Sequence, residues 1–159
     1  MQNICRNICT KCKLYLSLHR KNIQTYTTMI RTAINNQMEA KHLNTTMLSA
    51  VTGISVPSLT RFLSGEVTAD FDNVLCIMKV LGLGFGYKRV GVAVKEASDV
   101  RTMVSDILHQ RSIKTKDLSI LCGVNYCTLS SWLGGKRKIT LSNLESILNA
   151  VGLTPLPII

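Results

Sequence analysis

The chain has 159 residues, 46% hydrophobic and 18% charged, a globular balance sufficient for one domain or two small ones. No apolar run approaches the roughly 18 residues needed to span a membrane, and the stretch Leu14, Tyr15, Leu16, with Leu18 beyond, is too short for a signal-peptide core, so a cytosolic protein is expected. The net charge of +10 favours a polyanionic partner, and it is unevenly placed: +5 over residues 1–28, 0 over 29–83, +1 over 84–99 and +4 over 100–159.

Residues 1–28 read as a basic, disordered arm that precedes the first periodic segment at Met29, which offers an alternative start. Cys5, Cys9 and Cys12 have the C-x3-C-x2-C spacing of the radical-SAM iron–sulfur enzymes. The rest of the chain supplies helical repeats and no α/β barrel, so that reading is rejected. A tetrahedral zinc site from Cys5, Cys9, Cys12 and His19 is chemically possible, but incidental cysteines are preferred, and no metal or cofactor is expected. Cytosolic thiols stay reduced, so no disulfide framework is inferred.

The rest of the chain is a repeat. Shifted by 70 residues without gaps, segment 31–83 shows 13 identities over 53 positions, among them Arg31/Arg101, Leu48/Leu118, Gly53/Gly123, Leu59/Leu129, Gly65/Gly135 and Gly82/Gly152. Most other pairs keep their character, as in Ile34/Val104, Phe62/Trp132 and Val74/Leu144. Self-similarity at one fixed period makes each copy a structural unit, giving domains at 29–83 and 100–159, the latter with an extended tail.

Within each copy the apolar spacing predicts four helices. The first carries Ile30, Ala33, Ile34 and Met38, or Val100, Met103, Val104, Ile107 and Leu108. The second spans Thr45 to Thr52, or Thr115 to Cys122, and ends at Gly53 or Gly123, where a left-handed residue is tolerated. Ser55 and Asn125 cap the third, Pro57 fits its first turn, and Gly65 and Gly134-Gly135 stop it. Asp70 and Thr140 cap the fourth, with Ser142 and Glu145 as a capping-box alternative. Between the copies, residues 84–99 read as a stiff linker or one or two short strands, and the C-terminal tail 154–159 is extended. These two tails follow equivalent helices and are placed to pack the copies together. The alternating Gly82, Gly84 and Gly86 lack the strand–turn–helix context of a phosphate loop.

Two stretches, TTMLSAVTGISVPSLTRFLSG from Thr45 and TKDLSILCGVNYCTLSSWLGGKRK from Thr115, resemble the lambda-repressor-like (Cro/cI, or XRE) helix-turn-helix family. The turn glycine, the small Ser49 and Ser119 where two helices meet, and the apolar pair after the turn carry the likeness. It covers residues 30–83 and 100–153 and implies an all-α protein of two tandem lambda-repressor-like helix-turn-helix domains, with short β segments confined to linker and tail.

The resemblance implies double-stranded DNA as partner, read in the major groove by the third helix. In the second copy that face is Asn125, Tyr126, Cys127, Thr128, Ser130 and Ser131. Lys114, Thr115 and Lys116 at the start of the second helix, and Lys136, Arg137 and Lys138 after the third, are candidate phosphate contacts. The first copy offers Ser58 and Arg61, but the loop Glu66–Asp70 is acidic where its counterpart is basic, so the main reading helix is expected in the second copy. Cys76, Cys122 and Cys127 are taken as small hydrophobes. Nine acids without paired-carboxylate spacing, and His19, His42 and His109 far apart, give no support to an enzyme.

The function expected is a sequence-specific transcriptional regulator, repressor-like and of phage or mobile-element type, nucleoid-associated in the cytoplasm. It would act as a homodimer or as an intrachain pseudo-dimer. The alternative is an antitoxin-like or scaffold module whose helix-turn-helix domains bind a protein.

Overall fold

A computed structural model describes residues 26–87, 96–153 and 155–158. The Cys5, Cys9, Cys12 and His19 alternative, most of the basic arm, the middle of the linker and Thr154 therefore lie outside the described residues. The elements in order are α1 (26–40), α2 (Thr45–Thr52), α3 (Val56–Leu63), α4 (Phe71–Leu81), β1 (Gly84–Tyr87), α5 (Ala97–Gln110), α6 (Thr115–Cys122), α7 (Tyr126–Leu133), α8 (Leu141–Ala150) and β2 (Pro155–Ile158). The second, third and fourth helices of the two copies start exactly one repeat apart, as the sequence pattern requires.

The turn chemistry repeats too. Gly53 and Gly123 end α2 and α6 in the left-handed region, at φ 72° and 69°, each returning its N–H to the serine four residues back. His42 and Ser112, both at φ 52°, close the turn after the first helix. A left-handed non-glycine residue is uncommon, so its recurrence at matching positions shows that the repeat dictates backbone conformation. Lys41 Nζ donates to Leu81 O at 2.6 Å and Arg111 Nη1 to Val151 O at 3.0 Å. These cations meet the carbonyl-rich ends of α4 and α8, where the helix dipole favours positive charge.

The two copies are joined by reciprocal bonds. Phe71 N donates to Ile139 O at 2.8 Å, and Leu141 N to Ala69 O at 2.9 Å, around the bridge between Asp70 and Thr140. β1 and β2 pair antiparallel with Gly86 opposite Leu156. In both places a residue meets its own repeat mate, which makes the relation between the copies a local two-fold. α4 also packs on α8 and on α5. One continuous apolar cluster results, running from Ile30 and Phe62 through Phe71 and Phe85 to Trp132 and Leu148. Phe85, which lies in the expected linker, is 1% exposed and sits edge-on to Phe71 (4.9 Å) and Tyr26 (6.1 Å).

Several boundaries differ from expectation. The chain is already helical at residue 26, and Tyr26 and Thr27, counted in the arm, are buried. The reason is tertiary: Phe85 receives the Tyr26 ring, and Thr27 Oγ1 donates to Glu145 Oε2 at 2.8 Å. Similarly, α5 begins at Ala97, inside the expected linker, behind a capping box of Glu96 and Asp99. The capping-box alternative at Ser142 and Glu145 is not formed. Thr140 is the cap, bonded from Asn143 N, and Glu145 is buried at 1% exposure against the first copy. Burial pushes its carboxyl up to about 8, opposed by hydrogen bonds from the Thr27 hydroxyl and from the backbone of Tyr26 and Thr27.

Candidate nucleic-acid interface

α7 is held from beneath by Leu129 and Trp132, both buried, and by Val124 in the turn before it. Ser119 Oγ donates to Val124 O at 2.6 Å, fixing α6 to the turn and so setting the angle at which α7 leaves it. Asn125 caps α7: its Oδ1 accepts from Cys127 N at 2.8 Å. That bond uses the carbonyl end of the side chain and leaves the amide NH2 as the part able to meet a base.

The structure brings the expected reading residues of the second copy onto one accessible surface. Asn125, Tyr126, Cys127 and Ser130 are exposed, while Thr128 and Ser131 are half-buried at its sides. Tyr126 is 50% exposed, an amphipathic ring standing free at the start of the helix. Of the three cysteines taken as small hydrophobes, Cys127 lies exposed on α7, whereas Cys122 is buried and Cys76 half-buried. Desolvation raises the Cys122 thiol, as suits an inert core sulfur.

Lys136, Arg137 and Lys138 are all exposed in the loop between α7 and α8. None makes an ion pair among the described residues. Lys114 and Lys116 are exposed at the start of α6, and Thr115 is half-buried there. One opposing charge lies beside them: Asp117 stands exposed in the same first turn. Its carboxylate offsets part of the positive charge at that end of α6, and the loop Lys136–Lys138 contains no acid.

The first copy presents the same framework with different chemistry. α3 buries Leu59 and Phe62. Arg61 Nε lies 3.5 Å from Glu66 Oε2, and the Ser64 hydroxyl donates to Glu66 Oε1 at 3.2 Å. The Ser58 hydroxyl accepts from Ser55 Oγ at 2.8 Å, and Thr60 Oγ1 turns back to Val56 O at 3.0 Å. Ser55 and Asp70 are therefore N-cap residues without a side-chain capping bond. The best cation of this face is engaged, and its hydroxyls, though exposed, are bonded to their own helix.

One residue of this region escaped the sequence reading. Arg101, on α5, lies beside the loop that follows α7; its guanidinium is 3.4 Å from the point a β-carbon on Gly135 would occupy. The only available signal was the identity of Arg31 and Arg101, which the repeat alone accounted for.

A family model for the Cro/C1-type HTH DNA-binding domain matches the chain twice, over residues 33–86 and 103–156, together more than half its length. The two matches stand one repeat apart. No curated protein and no solved structure matches the chain.

Proposed function

Because the chain belongs to the Cro/C1-type helix-turn-helix family of DNA-binding regulators, we propose that it is a sequence-specific transcriptional repressor of a phage or mobile element, acting on DNA in the cytoplasm as an intrachain pseudo-dimer and reading mainly with α7. The observation that carries this reading is the free basic loop, Lys136 to Lys138, set directly after an α7 whose polar residues face solvent. Exposed cations beside a reading helix neutralise phosphates and fix register, while small polar side chains and Asn125 discriminate base edges. No helix among the described residues is long and apolar enough to cross a membrane.

Selection of bound sites from random duplex DNA tests the proposal. An asymmetric site is expected, with one strongly specified half and one weakly specified half about one helical turn away (~34 Å). Asn125→Ala should relax preference at a single base pair without weakening binding to other sequences. A pool that never converges would remove sequence-specific reading.

A second reading has one observation in its favour. Met47 and Val51, one turn apart on α2, are 51% and 66% exposed. Met47 stands where the second copy has Asp117, so this patch carries no charge in the first copy, although the second copy exposes Ile120 where the first has Ala50. Here the first copy would bind a protein, in the manner of an antitoxin or scaffold. Recovery of a stoichiometric protein partner that Val51→Asp abolishes, with no salt-sensitive DNA binding, would favour it over the repressor.

A further inference from the structure

Arg31 and Arg101 hold the same place in the two copies, and only the first is internally engaged. Arg31 Nη2 donates to Val67 O at 3.4 Å, and its guanidinium carbon lies 5.4 Å from the centre of the Phe62 ring. These contacts tie it to the loop after α3. Arg101 is half-buried in the matching position, with Trp132 in place of Phe62. Among the described residues it makes no hydrogen bond and no ion pair.

What Arg101 faces instead is a cleft of about 350 Å³ at the joint between the copies. Lys136, Arg137 and Lys138 line the same cleft, with Trp132 and Ile139 supplying its apolar part. Asp72, at the start of α4, lines it as well, and its carboxylate forms no ion pair with Arg101. The balance is four cations against one anion. A partly desolvated guanidinium with five donors and no acceptor is the group best suited to take up a planar pair of anionic oxygens.

We propose that Arg101, with the Lys136–Lys138 loop, forms a phosphate-binding site in the cleft between the two copies. The fork of Arg101 takes two oxygens of one phosphate group, and the loop lysines supply point charges around it. That phosphate is either a backbone phosphate of bound DNA or the phosphate of a small free ligand; the recognising chemistry is the same. The DNA source rests on the DNA-binding reading above, whereas the free-ligand source stands without it. Asp72 opposes occupancy in either case, so the site has a built-in antagonist.

The test uses the full chain with two readouts. The first is DNA affinity as a function of salt. If the phosphate belongs to DNA, Arg101→Gln lowers the slope of log K against log salt by about 0.9 and weakens all sequences alike, roughly fivefold near physiological salt. Arg101→Lys restores the slope, and Arg31→Gln leaves it unchanged. The second readout is melting temperature in inorganic phosphate against chloride at equal ionic strength. If the ligand is free phosphate, phosphate raises the melting temperature of the wild type and not of Arg101→Gln. Asp72→Asn retains Arg101, so it tests the site even if Arg101→Gln folds poorly: it should steepen the salt slope or enlarge the phosphate-induced rise. Phosphate stabilisation without any DNA binding supports the site while removing the DNA reading. Salt slope and phosphate response both unmoved by Arg101→Gln, or by Asp72→Asn, overturn the proposal.

Discussion

α3 and α7 are each eight residues long, follow a left-handed glycine by three residues and bury corresponding pairs, Leu59 with Phe62 and Leu129 with Trp132. They diverge in what surrounds that core. After α3, Arg61 is drawn to Glu66, and Arg31 is tied to Val67 O and stacked on Phe62. After α7, three cations and Arg101 stand without such partners among the described residues. Apolar positions at helical spacing therefore conserve the fold, while a handful of charges on an exposed loop, changed with little effect on that fold, give the two copies different surface chemistry. Surface charges contribute little to stability in isolation, which is why they can diverge freely.

The largest effect should come from testing whether the copies are one cooperative unit. Phe62 is 2% exposed and belongs to the apolar cluster that runs into the second copy. Phe62→Ala should destabilise by about 3–5 kcal/mol, lowering the melting temperature by roughly 10 °C. Because the core is continuous, calorimetry should show a single transition, with the second copy lost together with the first. Two separated transitions, only one of them displaced, would mean that the copies fold independently.

A second contrast lies at the joint. Glu145 on α8 is buried against Thr27, whereas the repeat mates in those places are Leu75 and Ala97. The folded-state pKa of Glu145 is raised from 4.5 to about 8. Below pH 4.5 the carboxyl is protonated in both folded and unfolded chains, and its contribution is fully present. Between there and about pH 8 the unfolded chain releases the proton and the folded chain keeps it, so stability falls as pH rises and levels off above that. Glu145→Gln keeps an acceptor for Thr27 Oγ1 and cannot ionise. Its melting temperature should exceed the wild type's by several degrees at pH 8 and match it near pH 4. Parallel pH profiles for the two proteins would show that the carboxyl does not titrate with folding.

The joint also shows where the sequence stops being informative. The helices, the turn glycines and the Asn125 and Thr140 caps were legible, because each depends on residues within four or five positions. Two-fold pairing of the tails was suggested by their equivalent places after α4 and α8. Tyr26, Thr27, Phe85 and Glu145 were not legible in their roles. Tyr26 and Thr27 sit in a stretch rich in polar and basic residues, and nothing local announces that Phe85 and Glu145 await them. The Thr27–Glu145 bond spans 118 positions. The same blindness applied to Arg101, whose significance depends on a cleft that exists only once the copies meet. The charge asymmetry of the loops was legible outright, because a surface charge needs no partner to be counted.

That asymmetry can be weakened from the strong side. Replacing Lys136, Arg137 and Lys138 together with alanine should reduce DNA affinity about a hundredfold near physiological salt and lower the salt slope by about 2.7, the equivalent of three phosphate contacts. The corresponding triple in the first copy, Glu66, Val67 and Thr68 to alanine, should leave affinity unchanged or raise it slightly by releasing Arg61. Equal losses from the two triples would mean that both halves hold phosphate alike.

The smaller and more discriminating change runs the other way. Glu66→Lys converts the first copy's loop toward the second's, since residue 66 is the repeat mate of Lys136. It removes the acceptor that engages Arg61 and Ser64 and places a cation in its stead. The lost ion pair is exposed at both ends, so the fold should be little affected. One added phosphate contact predicts a gain of roughly fivefold in affinity, and a second from the freed Arg61 would raise it to a few tens, with the salt slope steepening by about 0.9 for each. The gain should appear as a more strongly specified weak half-site in selected DNA if α3 lies over the groove, and as uniform tightening if only the backbone is within reach. A gain of neither kind, with the salt slope unchanged, would mean that the first copy stands away from the duplex and that its neutral face, with Met47 and Val51 exposed, serves a different partner.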